Sequence, residues 1–161
     1  MKYKVMRFGH KISRVSRGGI WFEIGWKDFS TYEDAFEGFY DNSKRKPRIW
    51  WAVIEPKKVY KIEIAAKGLF DETDYPYILY FKLKEGKYPT VDKVKKYQDK
   101  HGYFDEKHAT IIESKVSKML KEKGYDCAYF KIDKKILFAH DQLFYLGNDI
   151  KWVKDFIPRE D

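Results

Sequence analysis

Few side chains of this 161-residue chain are placed for nucleophilic or metal chemistry. The single cysteine, Cys127, lies inside an apolar segment that predicts a strand, where a buried and inert thiol is expected. The four histidines do not have the spacing of the ligands in known metal sites. The sequence also lacks the glycine-rich loops of nucleotide-binding folds and the Gly-x-Ser-x-Gly turn of serine hydrolases. No metal is expected, and a reactive cysteine is not indicated.

One carboxylate, that of Asp141, lies at the start of a predicted strand. The stretch from Gly124 to Lys151 follows a strongly patterned helix and predicts two short strands, Gly-Tyr-Asp-Cys-Ala-Tyr-Phe and then Asp-Gln-Leu-Phe-Tyr-Leu-Gly-Asn-Asp-Ile-Lys. This order resembles the C-terminal half of small ADP-ribosyltransferase-like proteins of phages, in which a helix ends in a Gly-Tyr-Asp-Gly turn and a glutamate opens a strand. The resemblance implies that Asp141 is the catalytic acid, with an aspartate in place of the usual glutamate.

Four earlier segments follow the order of the same family. They are Met6-Arg7-Phe8-Gly9-His10, Gly19-Ile20-Trp21-Phe22, the predicted helix 31–40, and a strand ending at Pro56. The resemblance implies an NAD site with donors for the phosphates and ribose, close backbone approach, and an aromatic ring beside the nicotinamide. The NAD-binding residues that it implies are Arg7, His10, Gly19, Trp21 and Phe22. Trp21 and Phe22 occupy successive strand positions and point to opposite faces, so the sequence does not select between them.

Strands and helices are interspersed along the whole chain. Periodicity and turn signals predict strands at 3–8, 19–24, 49–55, 58–64, 77–83, 126–131 and 136–146. They predict helices at 31–40, from Thr90 onward, and at about 105–123. This pattern indicates one α+β domain over residues 1–161, with a largely antiparallel or mixed sheet. The resemblance implies a split-sheet ADP-ribosyltransferase-like core with three helices.

The composition narrows the partners and the compartment. Thirty-three Lys and Arg residues against 25 Asp and Glu residues give a net charge of +8, which attracts nucleic acid, acidic proteins or phosphate-bearing molecules. The basic cluster Lys44, Arg45, Lys46 and Arg48 is the predicted surface for a nucleic acid or another acceptor. The absence of an apolar run of about 18–20 residues, of a signal peptide and of paired cysteines predicts a cytoplasmic protein without a membrane partner.

The function expected from the resemblance is NAD-dependent mono-ADP-ribosylation of a macromolecular acceptor, either a host protein or a nucleic acid. Small phage proteins of this fold modify host machinery, including CRISPR effector complexes, so a phage or mobile-element effector is the implied context. One alternative is a non-enzymatic nucleic-acid-binding or inhibitory protein that uses its lysine clusters and the rings of Trp50, Tyr75, Tyr77 or Tyr103. A second alternative is an NAD glycohydrolase or phosphorolytic toxin of the RES type.

Overall fold

The computed structural model describes residues 2–9, 18–24, 48–65, 74–101, 106–133 and 140–156. Within these ranges, seven strands and three helices form an α+β fold. The strands are β1 (Tyr3–Gly9), β2 (Ile20–Glu23), β3 (Arg48–Ile54), β4 (Val59–Ile64), β5 (Cys127–Ile132), β6 (Gln142–Tyr145) and β7 (Ile150–Phe156). The helices are α1 (Tyr75–Glu85), α2 (Val91–His101) and α3 (Glu106–Glu122).

The seven strands form one mixed sheet in the order β4-β5-β6-β2-β1-β3-β7. Among the described strands, only β4 and β5 are parallel, and the three described helices lie in the long connection between them, as a parallel crossover requires. All seven described strands are joined by hydrogen bonds in this one sheet. The narrowest junction lies between β2 and β1, which are paired only through Glu23 and Met6.

Each face of the sheet carries its own apolar cluster. On the first face, β4, β5 and β6 pack against the three helices, and the buried side chains include Ile62, Leu79, Val94, Val116, Phe130 and Phe144. On the second face, the buried side chains among the described residues come from strands: Val5, Ile20, Phe22, Ala52, Ile54, Cys127, Leu143 and Tyr145. Neighbouring residues of one strand alternate between these two clusters, as the pleat of a strand requires.

The sheet curves around the second cluster. The rings of Tyr3 on β1 and Tyr129 on β5 lie 5.8 Å apart, and those of Phe22 on β2 and Trp152 on β7 lie 5.9 Å apart. Each pair joins strands that are three places apart in the order of the sheet. A flat sheet would hold such strands about 14 Å apart, at ~4.8 Å per strand. The second face is therefore concave.

The helix boundaries follow the signals in the sequence. Thr90 Oγ1 accepts a hydrogen bond from the Lys93 N–H (3.1 Å), so Thr90 caps α2 as predicted. After α3, Gly124 adopts a left-handed conformation (φ 86°), and the Tyr125 N–H donates to the Leu120 carbonyl (2.9 Å). This is the glycine-ended C-terminus expected for the long helix.

One predicted element is corrected, one strand was not predicted, and one predicted helix lies outside the described residues. Residues 77–83 are helical within α1 rather than a strand. The prediction failed because most of that helix is buried, so its sequence shows no polar face. The strand β7 was not predicted, although it pairs with β3 and forms an edge of the sheet. The predicted helix 31–40 falls outside the described ranges.

Candidate functional site

The three strands that carry the predicted NAD-site residues are neighbours in the sheet. The strand that follows Asp141, β6, pairs with β2, which carries Trp21 and Phe22, and β2 pairs in turn with β1, which carries Arg7. The Asp141 carbonyl extends this pairing by accepting a hydrogen bond from the Ile24 N–H (3.0 Å). Segments separated by more than 100 positions in the sequence thus lie side by side.

Three of the predicted residues lie on the concave second face. Phe22 pairs with Leu143, and both belong to the second cluster. Arg7 lies two residues after Val5 of the same cluster, and strand alternation places both on that face. Asp141 lies two residues before Leu143 and contacts Tyr129, which packs against the second cluster.

Trp21 lies on the opposite face. Its ring stacks on Phe144 with centroids 4.7 Å apart and contacts Phe130 at 5.3 Å, both within the first cluster. Trp21 and Phe22 therefore point to opposite faces, as the sequence predicted. Of these two rings, that of Phe22 is on the same face as Asp141. Phe22 is 1% exposed, so it forms the floor of the concave face.

Two hydrogen bonds fix the carboxylate of Asp141. The Tyr129 hydroxyl donates to Oδ2 (2.6 Å), and the Ile132 N–H donates to Oδ1 (2.9 Å). The residue remains partly exposed at the mouth of β6. Its position ties the end of β5 to the start of β6, so it has a structural role whatever else it does. A carboxylate held in one orientation is also suited to stabilising positive charge on a bound molecule.

Titratable groups surround this carboxylate. Burial raises the pKa of the Tyr129 phenol, and its hydrogen bond to Asp141 raises that pKa further. Burial lowers the pKa of the neighbouring His140 imidazole, and the Asp141 carboxylate opposes that shift. Tyr129 therefore remains a hydrogen-bond donor in neutral solution. Tyr129 was not predicted from the sequence, because its contact with Asp141 depends on the register of β5 and β6.

The guanidinium of Arg7 bridges the narrow junction between β1 and β2. Its Nη1 donates to the Trp21 carbonyl at 3.2 Å, and the side chain is partly buried. A planar guanidinium is also suited to binding phosphate groups. Glu23, which follows Phe22, lies on the first face and therefore points away from the concave side.

Gly19 has a packing role that the sequence did not predict. A Cβ atom at this position would lie 2.6 Å from the Phe144 ring and 2.9 Å from Leu146. Both contacts are shorter than real Cβ atoms make. Gly19 therefore packs against side chains of the first cluster.

We expect Gly19→Ala to lower the free energy of unfolding by about 1–3 kcal/mol, because the added methyl overpacks the Phe144 ring. Urea unfolding of the variant and the wild type measures this difference. Gly86→Ala is a useful contrast, since a Cβ there meets no atom within 4 Å and only the left-handed backbone (φ 76°) is strained. Unchanged stability of Gly19→Ala would contradict the packing role.

Several predicted residues lie outside the described ranges or are buried. His10, Lys44, Arg45 and Lys46 are outside the ranges, and Arg48 is described only by its backbone, which opens β3 opposite Gly9. Tyr75 and Tyr77, two candidates for base stacking, are 3% and 2% exposed and belong to the first cluster. They are not available for stacking, because α1 packs them against the sheet.

The thiol of Cys127 is buried, as its apolar strand predicted. The residue is 0% exposed on the second face, and burial raises its pKa to about 12, with a smaller contribution from Asp126. The thiol therefore stays protonated in neutral solution and cannot act as a nucleophile there.

We expect Cys127 to resist alkylation in the folded protein at about pH 8, where an ordinary thiol is partly ionised. The same reagent should modify it completely once denaturant has unfolded the chain. Intact-mass spectrometry with and without denaturant measures both results. Labelling of the native protein at the rate of a free thiol would contradict the burial.

Within the described ranges, no group of three or more His, Cys, Asp or Glu side chains is placed to hold a metal ion. None of the described helices is long and apolar enough to cross a membrane. No protein-family model, curated protein or solved structure matches this chain.

Proposed function

We propose that the protein is a NAD-dependent mono-ADP-ribosyltransferase that modifies a macromolecular acceptor. The observation that carries the proposal is the adjacency of β6, β2 and β1, with Asp141, Phe22 and Arg7 on one concave face. The resemblance drawn from sequence assigns the catalytic acid and the NAD-binding residues to these strands.

The reaction assigns a separate role to each of these side chains. The glycosidic bond between ribose and nicotinamide breaks, and nicotinamide leaves with the bonding electron pair. Positive charge develops on the ribose, and the Asp141 carboxylate stabilises it. An acceptor nucleophile then bonds to the same carbon and gives up its proton. Arg7 binds the diphosphate through its guanidinium, and Phe22 forms the buried floor beneath the nicotinamide side of the site.

The acceptor in this proposal is a nucleic acid or a nucleic-acid-binding host protein, in keeping with the net charge of +8. The proposal includes the fold that the resemblance implies. In it, the bent seven-stranded sheet corresponds to the ADP-ribosyltransferase core. The narrow junction between β2 and β1 supports this correspondence, because it divides the sheet into two parts with little pairing between them.

Incubation with NAD and a bacterial lysate tests the proposal, with mass spectrometry of released nicotinamide and of acceptors. The expected result is nicotinamide release together with acceptors that carry the mass of one ADP-ribose. Nicotinamide release without a modified acceptor would instead indicate a glycohydrolase. No NAD consumption, and no NAD binding at about millimolar concentration, well above common affinities, would reject the proposal.

A further inference from the structure

Tyr88 is a large aromatic residue that the fold holds in solvent. It is 45% exposed and lies in the turn between α1 and α2, two residues after the left-handed Gly86. Its hydroxyl oxygen accepts a hydrogen bond from the Glu63 N–H of β4 (3.0 Å). The Lys82 Nζ lies 4.5 Å from the ring centroid. The ring is therefore fixed at its oxygen and covered by an ammonium group, while much of its surface remains accessible.

The Tyr88 hydroxyl has a structural role as a hydrogen-bond partner of β4, but this role does not explain why the ring is exposed. The strand β4 is an edge of the sheet, and outward-facing N–H groups of an edge need partners. The Tyr88 hydroxyl provides one for Glu63. That role does not require a large apolar ring to stay in water, where its exposure is unfavourable.

The surroundings of Tyr88 are strongly basic. Residues 82–101 contain seven lysines and three acidic residues, a net charge of +4. Two of the three carboxylates are already paired with lysines of α2: Glu85 with Lys93, and Asp92 with Lys96. The hydrogen bond from Lys93 lowers the pKa of Glu85, so this pair stays charged in neutral solution.

Two lysines next to Tyr88 are available for an anion. Lys84, in the last turn of α1, and Lys87, in the following turn, are both exposed. Neither has an ion-pair partner among the described residues. Lys84 lies 5.6 Å from the Tyr80 ring, which restricts where its ammonium group can lie. Tyr88, Lys84 and Lys87 together are termed the Tyr88 surface.

We propose that the Tyr88 surface binds single-stranded nucleic acid. A fixed, exposed ring beside exposed ammonium groups matches a strand that offers both bases and phosphates, because bases stack on aromatic rings and phosphates attract lysines. An acidic polypeptide would use the lysines and leave the ring without a function. A duplex keeps its bases stacked inside, where the ring cannot reach them.

This surface is separate from the concave face. The helices that carry it pack on the first face of the sheet, whereas Asp141 lies on the second. Binding at the Tyr88 surface requires no NAD and does not depend on the proposed transferase reaction. The outcome of the NAD experiment therefore does not decide whether the Tyr88 surface binds single-stranded nucleic acid.

Fluorescence anisotropy with a labelled single-stranded oligonucleotide, without NAD and over a range of salt concentrations, tests the inference. Tyr88→Ala should weaken binding by about fivefold or more, the loss expected for one stacked base. Tyr88→Phe keeps the ring and loses only the hydroxyl, so its affinity should stay within about twofold of the wild type. Lys84→Ala with Lys87→Ala should reduce the slope of log affinity against log salt by about 1.4, or ~0.7 per phosphate contact.

A matched control removes two exposed lysines from another surface. Lys118→Ala with Lys121→Ala lowers the net charge by the same amount on α3 and should leave the slope unchanged. Thermal unfolding of each variant confirms that it is folded. The inference is overturned if the wild type does not bind the oligonucleotide at low salt, if duplex DNA or polyglutamate binds equally well, or if Tyr88→Ala binds like the wild type. An equal loss in the control pair would also overturn it.

Discussion

We expect the Asp141→Asn variant to release nicotinamide from NAD at least about a hundred times more slowly than the wild type. The reason is the loss of a negative charge that is held in place at the mouth of β6, where a charge acting on a transition state has effects of about this size or larger. Asparagine keeps an oxygen for the Ile132 N–H, so the link between β5 and β6 is largely retained. Initial rates of nicotinamide release with saturating NAD measure the effect.

Asp126 supplies a matched control for this substitution. Its two carboxylate oxygens accept hydrogen bonds from the Lys57 and Lys58 N–H groups, each at 2.9 Å. It precedes β5, whereas Asp141 contacts the other end of that strand. Asp126→Asn should therefore release nicotinamide at nearly the wild-type rate. Equal losses in both variants would assign the effect to folding, and a fully active Asp141→Asn would remove Asp141 from the mechanism.

We expect Phe130→Ala to lower the free energy of unfolding by about 3–5 kcal/mol, the range for a buried phenylalanine. Phe130 is 0% exposed and lies between the ring of Tyr75 (5.5 Å, nearly parallel) and the ring of Trp21 (5.3 Å). Its removal leaves a cavity between the sheet and α1. The corresponding fall in the unfolding temperature is about 6–20 °C, at roughly 2–4 °C per kcal/mol for a domain of this size.

Ile111→Ala is the control for Phe130→Ala. Ile111 is 41% exposed on α3, and its truncation should change the free energy of unfolding by no more than about 0.5 kcal/mol. Urea titrations of the two variants provide the comparison. A loss below about 1 kcal/mol for Phe130→Ala would mean that the sheet and the helices do not share the packed core described for the first face.

Most elements could be predicted because their signals are local. Thr90 and Gly124 act within one turn of the helices that they bound, and the alternating residues of β4 and β5 show which side of each strand is buried. Residues 75–85 lack such a signal. That helix buries Tyr75, Ile78, Phe81 and other residues around most of its circumference, so no 3.6-residue period separates polar from apolar positions. Aromatic and aliphatic residues in an unbroken run then predict a strand.

The sequence predicted which strands carry the candidate residues, but not which of their side chains share a face. The sequence predicted that Trp21 and Phe22 point to opposite faces, but only the pairing of Phe22 with Leu143 shows which of them shares a face with Asp141. The contact between Tyr129 and Asp141 depends on the same kind of long-range register. Tyr88 was missed because the exposure of an aromatic residue depends on what packs against it, and Tyr75 and Tyr77 were chosen wrongly for the same reason.

The position of β6 has a consequence for the synthesis of the protein. This strand lies between β5 and β2 in the interior of the sheet, although residues 142–145 follow both of its neighbours in the chain. A nascent chain that has not yet extended past residue 141 therefore has two open strand edges where the finished sheet has none, and such edges favour aggregation. Completing the ladder requires contacts between distant positions, which form slowly. Under the proposed function, Asp141 reaches its place only in this late step, so a ribosome-bound intermediate would not consume NAD.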